Sequence, residues 1–191
     1  LENPEPERAK VVRRIFRLSD RVVVMTETAK EILAKQYRLS GKKIEVIPHG
    51  VPSVKFGQNE KLKKKYGISS KNVILTFGLL SRSKGIEHVI SAMPEITEKF
   101  PDTTYLIVGE THPRVRENEG ESYRKELKEL AGRLEVAPNV RFLDKFLSTG
   151  EIVECLKMAS VYVSPSLDQR QICSGTISYA MGAGKAIISS K

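Results

Sequence analysis

A chain of 191 residues has room for one domain, or for one domain and part of another. Hydrophobic residues at 40% and charged residues at 29% are ordinary for a globular protein, and no apolar run approaches the roughly 18 residues of a membrane span. The net charge of +9 is uneven: residues 1–67 carry 16 Lys and Arg against 8 Asp and Glu, so the excess is almost all N-terminal.

With 6% aromatic residues and no Trp, that excess lacks the interleaved rings of a nucleic-acid surface, and no nucleic-acid partner is expected. A solvated face, an acidic partner or a peripheral contact with anionic lipid at the inner membrane face fits it better. Cys155 and Cys173 form no CxxC, which argues against a disulfide framework and a zinc site. A reduced cytoplasmic setting is the default. The polar, acidic start Leu1-Glu2-Asn3-Pro4-Glu5 reads as neither signal peptide nor native initiator, so a processed or cut chain is expected.

Apolar runs of four to six residues alternate along the chain with segments of helical period. The first strand is predicted at Arg21–Met25. A helix follows, with Thr28 and Glu31 as its capping box, and then a strand at Ile44–Ile47. Ile47-Pro48-His49-Gly50-Val51-Pro52 turns stiffly after it and is a candidate hinge. The next strand is Asn72–Phe77. The helix beyond it, starting near Lys84, puts Ile86, Val89, Ile90, Met93 and Ile96 on one face. A strand at Thr104–Val108 runs into polar residues 110–120, read as a loop. Leu127, Leu130, Ala131 and Leu134 mark a further helix before a strand at Asn139–Leu143. Ser148 and Glu151 form a second capping box, opening a helix faced by Ile152, Val153 and Leu156. Strands at Ser160–Ser164 and Lys185–Ser189 complete the series. Val- and Ile-rich strands without strict alternation are buried on both faces, so the pattern predicts an α/β fold with a parallel sheet flanked by helices.

Ligands of such sheets bind outside the carboxyl ends of the strands. Three strand-end loops have unusual contents. Gly78-Leu79-Leu80-Ser81-Arg82-Ser83-Lys84-Gly85 has glycines at both ends and two cations beside a helix N-terminus, which suits an anion. It lacks the spacing of a Walker loop, and a solvated turn capped by Ser83 is the bland alternative. The segment Ser164–Thr176 ends in Ser174-Gly175-Thr176 at a helix start, a second candidate anion site, and Gln171 there can bond neutral hydroxyls. A polar loop with Ser174 as a helix cap would read the same way. Gly109-Glu110-Thr111-His112-Pro113 lets the chain leave its strand beneath a bound group, with His112 read as a surface histidine. No GxSxG elbow supports a triad, and His49, His88 and His112 have no metal-ligand spacing.

The ordered segments Val-Ile-Pro-His-Gly-Val (46–51), Phe-Gly-Leu-Leu-Ser-Arg-Ser-Lys-Gly-Ile-Glu (77–87), Leu-Ile-Val-Gly-Glu (106–110), Val-Arg-Phe-Leu (140–143), Tyr-Val-Ser-Pro-Ser (162–166) and residues 174–189 resemble the retaining family-4 (group 1) glycosyltransferases of the GT-B fold, mainly their C-terminal domain. The resemblance implies two Rossmann-like domains, truncated here at both ends. Residues 1–43 would end the N-terminal acceptor domain and include the interdomain segment. Residues 44–191 would form an incomplete nucleotide-sugar-binding domain, inactive without the missing N-terminal part.

It implies that Lys84 and Arg82 meet the donor diphosphate, since Leu79 stands where the family has its arginine. It places Gln171 on the transferred sugar and Tyr179 near the ribose, where the family has two glutamates. Gly78, Gly109, Ser174, Gly175 and Thr176 complete the expected donor site. No cofactor and no metal are implied, and the acceptor, whether glycan, lipid or small molecule, stays open. A GT-B epimerase or phosphorylase, or a diverged non-catalytic binding domain, are the alternatives.

Overall fold

The structure is a computed structural model and describes residues 5–55, 60–168 and 171–190. Among them each of the seven predicted strands forms, with ends shifted by a single residue at most. The chain divides into two compact units, Leu1–Gly50 with Gln169–Gly175, and Val51–Asp168 with Thr176–Lys191. The division at Gly50 falls inside the stiff segment 47–52.

The smaller unit holds helix α1 (Pro6–Leu18), strand β1 (Val22–Val24), helix α2 (Glu27–Gln36) and strand β2 (Ile44–Val46). The two strands pair in parallel, Val22 opposite Ile44, so β2 lies with β1. The cap of α2 is Thr26, not Thr28: its side chain accepts from Ala29 N at 3.1 Å. Thr26 is in extended backbone one residue before the helix, the geometry a cap needs, whereas Thr28 is already inside it. Lys43 Nζ donates to Ser19 O at 2.7 Å and to Phe16 O at 3.4 Å, satisfying carbonyls that the end of α1 leaves open.

The larger unit is built on a five-stranded parallel sheet. Its strands are β3 (Asn72–Phe77), β4 (Thr103–Val108), β5 (Val140–Leu143), β6 (Val161–Ser164) and β7 (Ala186–Ser189), in the order β5-β4-β3-β6-β7. The period of two along β3 and β4 sends their side chains into two cores. Val73, Leu75, Leu106 and Val108 face one side, with Leu156 and Met158 of the helix Thr149–Met158. Ile74, Tyr105 and Ile107 face the other. The helices are α3 (Glu60–Lys65), α4 (Ile86–Lys99), α5 (Pro113–Glu119), α6 (Ser122–Arg133), α7 (Thr149–Met158) and α8 (Gly175–Gly182).

Ile86, Val89, Ile90 and Met93 of α4, with Leu127 and Ala131 of α6, cover the second face. Apart from the small Ala131, each of these side chains contributes about 1.5–3 kcal/mol by leaving water. Two buried hydroxyls between the strands are paired: Tyr105 OH donates to Thr76 Oγ1 at 2.9 Å, and Thr76 Oγ1 to Val163 O at 2.6 Å. The Ser148–Glu151 capping box opens α7 as expected. Residues 113–119, expected as loop, form α5 instead. Pro113 sits in its first turn and the Nδ1 of His112 accepts from Arg114 N, so the helix starts on local chemistry without an apolar stripe.

Candidate functional site

The site in the larger unit begins with how β3, β4 and β5 end. Gly78 N donates to Val108 O at 2.9 Å, and Gly109 N to Leu143 O at 3.0 Å, so the ladder continues one residue past the strands. Leu80 N then donates to Glu110 O at 2.8 Å, and His112 N to Leu80 O at 2.9 Å, tying the two loops together. Both glycines have φ in the range that side chains avoid, +133° and +137°. A Cβ on Gly109 would stand 2.0 Å from the Gly78 carbonyl oxygen. Two bare backbones therefore stack where any side chain would separate them, and they form a floor.

Over that floor stand Lys84 and Thr176. A Cβ on Gly78 would lie 3.6 Å from Thr176 Cγ2 and 3.9 Å from Lys84 Nζ. Lys84 closes a 3-10 turn, Arg82–Lys84, and Gly85 follows with φ +62° as the start of α4, so Ser83 is not the cap. The ammonium is half-buried, and that burial holds its pKa below the ordinary lysine value. Among the described residues no carboxylate or hydrogen-bond acceptor reaches Lys84 Nζ. Beside it opens a mostly apolar cavity of about 180 Å³, walled by Phe77, Leu79, Val108, Phe146, Leu147 and Ile152, with Glu110 and Lys145 among its lining residues. Lys145 is paired with Glu151 at 2.6 Å.

Arg82, expected at the diphosphate with Lys84, is committed elsewhere. Its Nη1 and Nη2 donate to the two oxygens of Glu126 at 2.7 and 2.6 Å, and its Nε donates to Glu119 at 3.2 Å. The guanidinium also lies 5.4 Å from the centre of the Tyr123 ring. These carboxylates raise its pKa, Glu126 first. In a 3-10 turn, residues two apart project to different sides, and only Lys84 projects over the glycine floor. Leu79, at the family's arginine position, is apolar wall.

Gln171, Ser174 and Gly175 belong to the smaller unit. There Gln171 Nε2 donates to Cys173 O at 3.1 Å. A Cβ on Gly175 would stand 2.8 Å from His49 Nε2, so a side chain there would displace the imidazole. Tyr179, on α8, is half-buried and packs against the core on its side of the sheet. Phe146 and Leu147 as cavity walls, the part Ile152 plays there beyond its helix face, and Arg124 are not announced by the sequence motifs. The last left a signal: it falls three before Leu127 and seven before Ala131, on the apolar stripe of its helix. Among the described residues no group of three His, Cys, Asp or Glu could hold a metal ion, and no helix is long and apolar enough to cross a membrane.

Sheet order, flanking helices and a cavity outside the strand ends place the larger unit among Rossmann-like α/β domains. The chain belongs to the group 1 glycosyltransferases. Residues 58–191 match the family described as glycosyl transferases group 1, and residues 3–54 match glycosyltransferase family 4. It is 26% identical over 164 residues to a GDP-mannose-dependent alpha-(1-6)-phosphatidylinositol monomannoside mannosyltransferase of Mycolicibacterium smegmatis, covering 84% of this chain and 40% of that one. It is 30% identical over 132 residues to spore coat protein SA of Bacillus subtilis, covering 69% and 33%.

Among solved structures, HepE of Anabaena in complex with UDP-glucose superposes with a TM-score of 0.77 at 22% identity, over 100% of this chain and 50% of that one. Sucrose-phosphate synthase of Thermosynechococcus elongatus gives 0.74 at 21%, over 98% and 44%. The fold is thus the GT-B type that the motifs implied. The chain spans half or less of the length of each of these proteins.

Proposed function

We propose that the larger unit binds the nucleoside diphosphate of a nucleotide-sugar donor, and that the whole protein transfers the sugar to an acceptor with retention of anomeric configuration. The observation that carries this reading is Lys84, a half-buried ammonium without a partner among the described residues, held over a floor of two bare glycine backbones. A cation kept from water with no counter-ion is unfavourable alone and favourable once an anion arrives. The apolar cavity beside it suits a flat base. That HepE is seen with UDP and with UDP-glucose supports the same assignment.

The chemistry then needs little more than placed charge. Breaking the bond from sugar to diphosphate leaves negative charge on the diphosphate, and Lys84 stabilises it where it grows. The bare Gly78 and Gly109 backbones let the phosphates approach closely. Gln171 keeps the role its motif gives it, hydrogen bonds to sugar hydroxyls. In this reading Lys84 takes the part a metal ion would play, so we assign none. A second reading, a diverged domain that binds nucleotide without turnover, is favoured by Leu79, Gln171 and Tyr179 at family arginine and glutamate positions.

The test is calorimetric titration of the full-length protein with UDP, GDP and ADP, followed by product analysis with the matching nucleotide-sugars. One nucleotide should bind and Lys84→Ala should lose it; binding unchanged by Lys84→Ala would remove the assignment. Donor binding without release of sugar to acceptors, water or phosphate would favour the second reading. Orthophosphate as the sole acceptor would make the protein a phosphorylase.

A further inference from the structure

Arg124 on α6 is a buried charge, with its side chain only 5% exposed. Its Nη2 donates to Gly109 O at 2.9 Å and pairs with Asp144 Oδ1 at 2.7 Å, while its Nε donates to Glu121 at 3.1 Å. Its Nη1 is buried and has no hydrogen-bond partner among the described residues. A fully buried guanidinium N–H without an acceptor is unfavourable for folding, and such departures from a well-satisfied interior mark functional places.

The two shortest contacts of Nη2 identify that place; a third, to Thr111 Oγ1 at 3.4 Å, is longer. Gly109 ends β4 and is followed by Glu110. Asp144 follows β5 and is followed by Lys145, Phe146 and Leu147. All but Asp144 among these line the apolar cavity, and Arg124 itself does not. One nitrogen therefore ties together two neighbouring strand ends, both of which contribute residues to the cavity lining. Lys84 stands outside this tie, on the β3 side of the glycine floor.

We propose that Arg124 is a positioning residue for the donor, one that fixes these strand ends of the cavity for the nucleoside and leaves the diphosphate end at Lys84 untouched; this rests on the donor-site reading above. Strand ends already fixed need no ordering when the ligand arrives, so the gain appears as affinity for the nucleoside. A lysine cannot replace the fork, because its single ammonium cannot hold a carbonyl, Asp144 and Glu121 in one plane.

The experiment is calorimetry and donor kinetics on the full-length protein, wild type against Arg124→Lys and Asp144→Asn. The probes are the nucleoside diphosphate that the wild type binds and inorganic pyrophosphate. Arg124→Lys should weaken the nucleoside diphosphate about tenfold, the size of one charge-assisted hydrogen bond, and change pyrophosphate less than about twofold. KM for the donor should rise while kcat stays within about twofold. Asp144→Asn should act in the same direction, and the double variant should lose less than the two singles added together, because they share one interaction. If Arg124→Lys does not fold, the half-exposed Asp144→Asn carries the same comparison. Equal losses for both probes, or no loss for either, overturns the proposal. A wild type that binds pyrophosphate but no nucleoside diphosphate overturns the donor-site reading and this one with it.

Discussion

Arg82 and Lys84 stand two residues apart in one 3-10 turn, and their surroundings differ in every respect that decides what a cation does. Arg82 is half-exposed and met by two carboxylates and a ring, so its charge is spent inside the protein. Lys84 is half-buried above two bare backbones, and its charge is unanswered among the described residues. Fork geometry and exposure suit Arg82 to bracing the turn against α6. A compact ammonium on a long stem suits Lys84 to meeting an anion. Having the charge in the loop is therefore not enough, and the neighbours decide which of two cations is available.

The comparison breaks first if its floor breaks. Gly109→Ala would force a methyl to 2.0 Å from the Gly78 carbonyl oxygen at a φ of +137°. The two strand ends must separate, and the expected loss is at least about 3 kcal/mol in urea unfolding. An alanine variant as stable as wild type would show that the two backbones need not stack.

Next in size is Lys84 itself. Lys84→Ala should weaken nucleoside-diphosphate binding by about ten- to a hundredfold or more, in keeping with roughly 1.5–3 kcal/mol for a charge-assisted contact. The same lysine should cost stability when no ligand is bound. Its pKa in the folded chain lies below the ordinary lysine value, so the unfolded chain binds more protons in the interval between the two. Below that interval the folded protein carries the buried cation at full cost. As pH rises through it, toward the ordinary value near 10.4, that cost disappears and stability rises. Lys84→Met should therefore melt higher than wild type near neutral pH in the absence of nucleotide, with the gap closing at alkaline pH. A methionine variant that melts lower would mean the ammonium has a stabilising partner after all.

The smallest effect belongs to Arg82. Arg82→Ala should leave nucleotide affinity within about threefold, since its guanidinium already holds Glu126 and Glu119. A loss as large as that of Lys84→Ala would return Arg82 to the diphosphate. Glu126→Gln sharpens the same point: with its strongest partner weakened, Arg82 is freer to move, and any gain in nucleotide affinity would show that it can reach.

How far the sequence foretold this depends on the distance over which each feature is decided. The strands were legible because Val and Ile runs such as those of β3 and β4 announce burial locally. The glycine-flanked loop and Lys84 were legible for the same reason, as motif and helix start lie within eight residues. Arg82 was not, because its fate rests on Glu119 and Glu126, 37 and 44 positions away. Helix α5 escaped because its start rests on His112 and Pro113 while its faces carry no apolar stripe. The cavity escaped because its walls come from three separate strand ends, joined only when the sheet is assembled.

The turn that carries Lys84 is also sewn to the chain leaving β6. Leu167 N donates to Ser83 O at 2.8 Å, and a Cβ on Gly85 would stand 2.2 Å from the Pro165 carbonyl oxygen. The two segments lie some eighty positions apart in sequence and form one part in space. Anyone grafting this loop onto a related scaffold, or shuffling fragments between relatives, must therefore move residues 78–85 and 165–167 as a pair. A chimera that takes only the first would inherit the lysine without its brace, and the recombination breakpoints that preserve function should avoid falling between them.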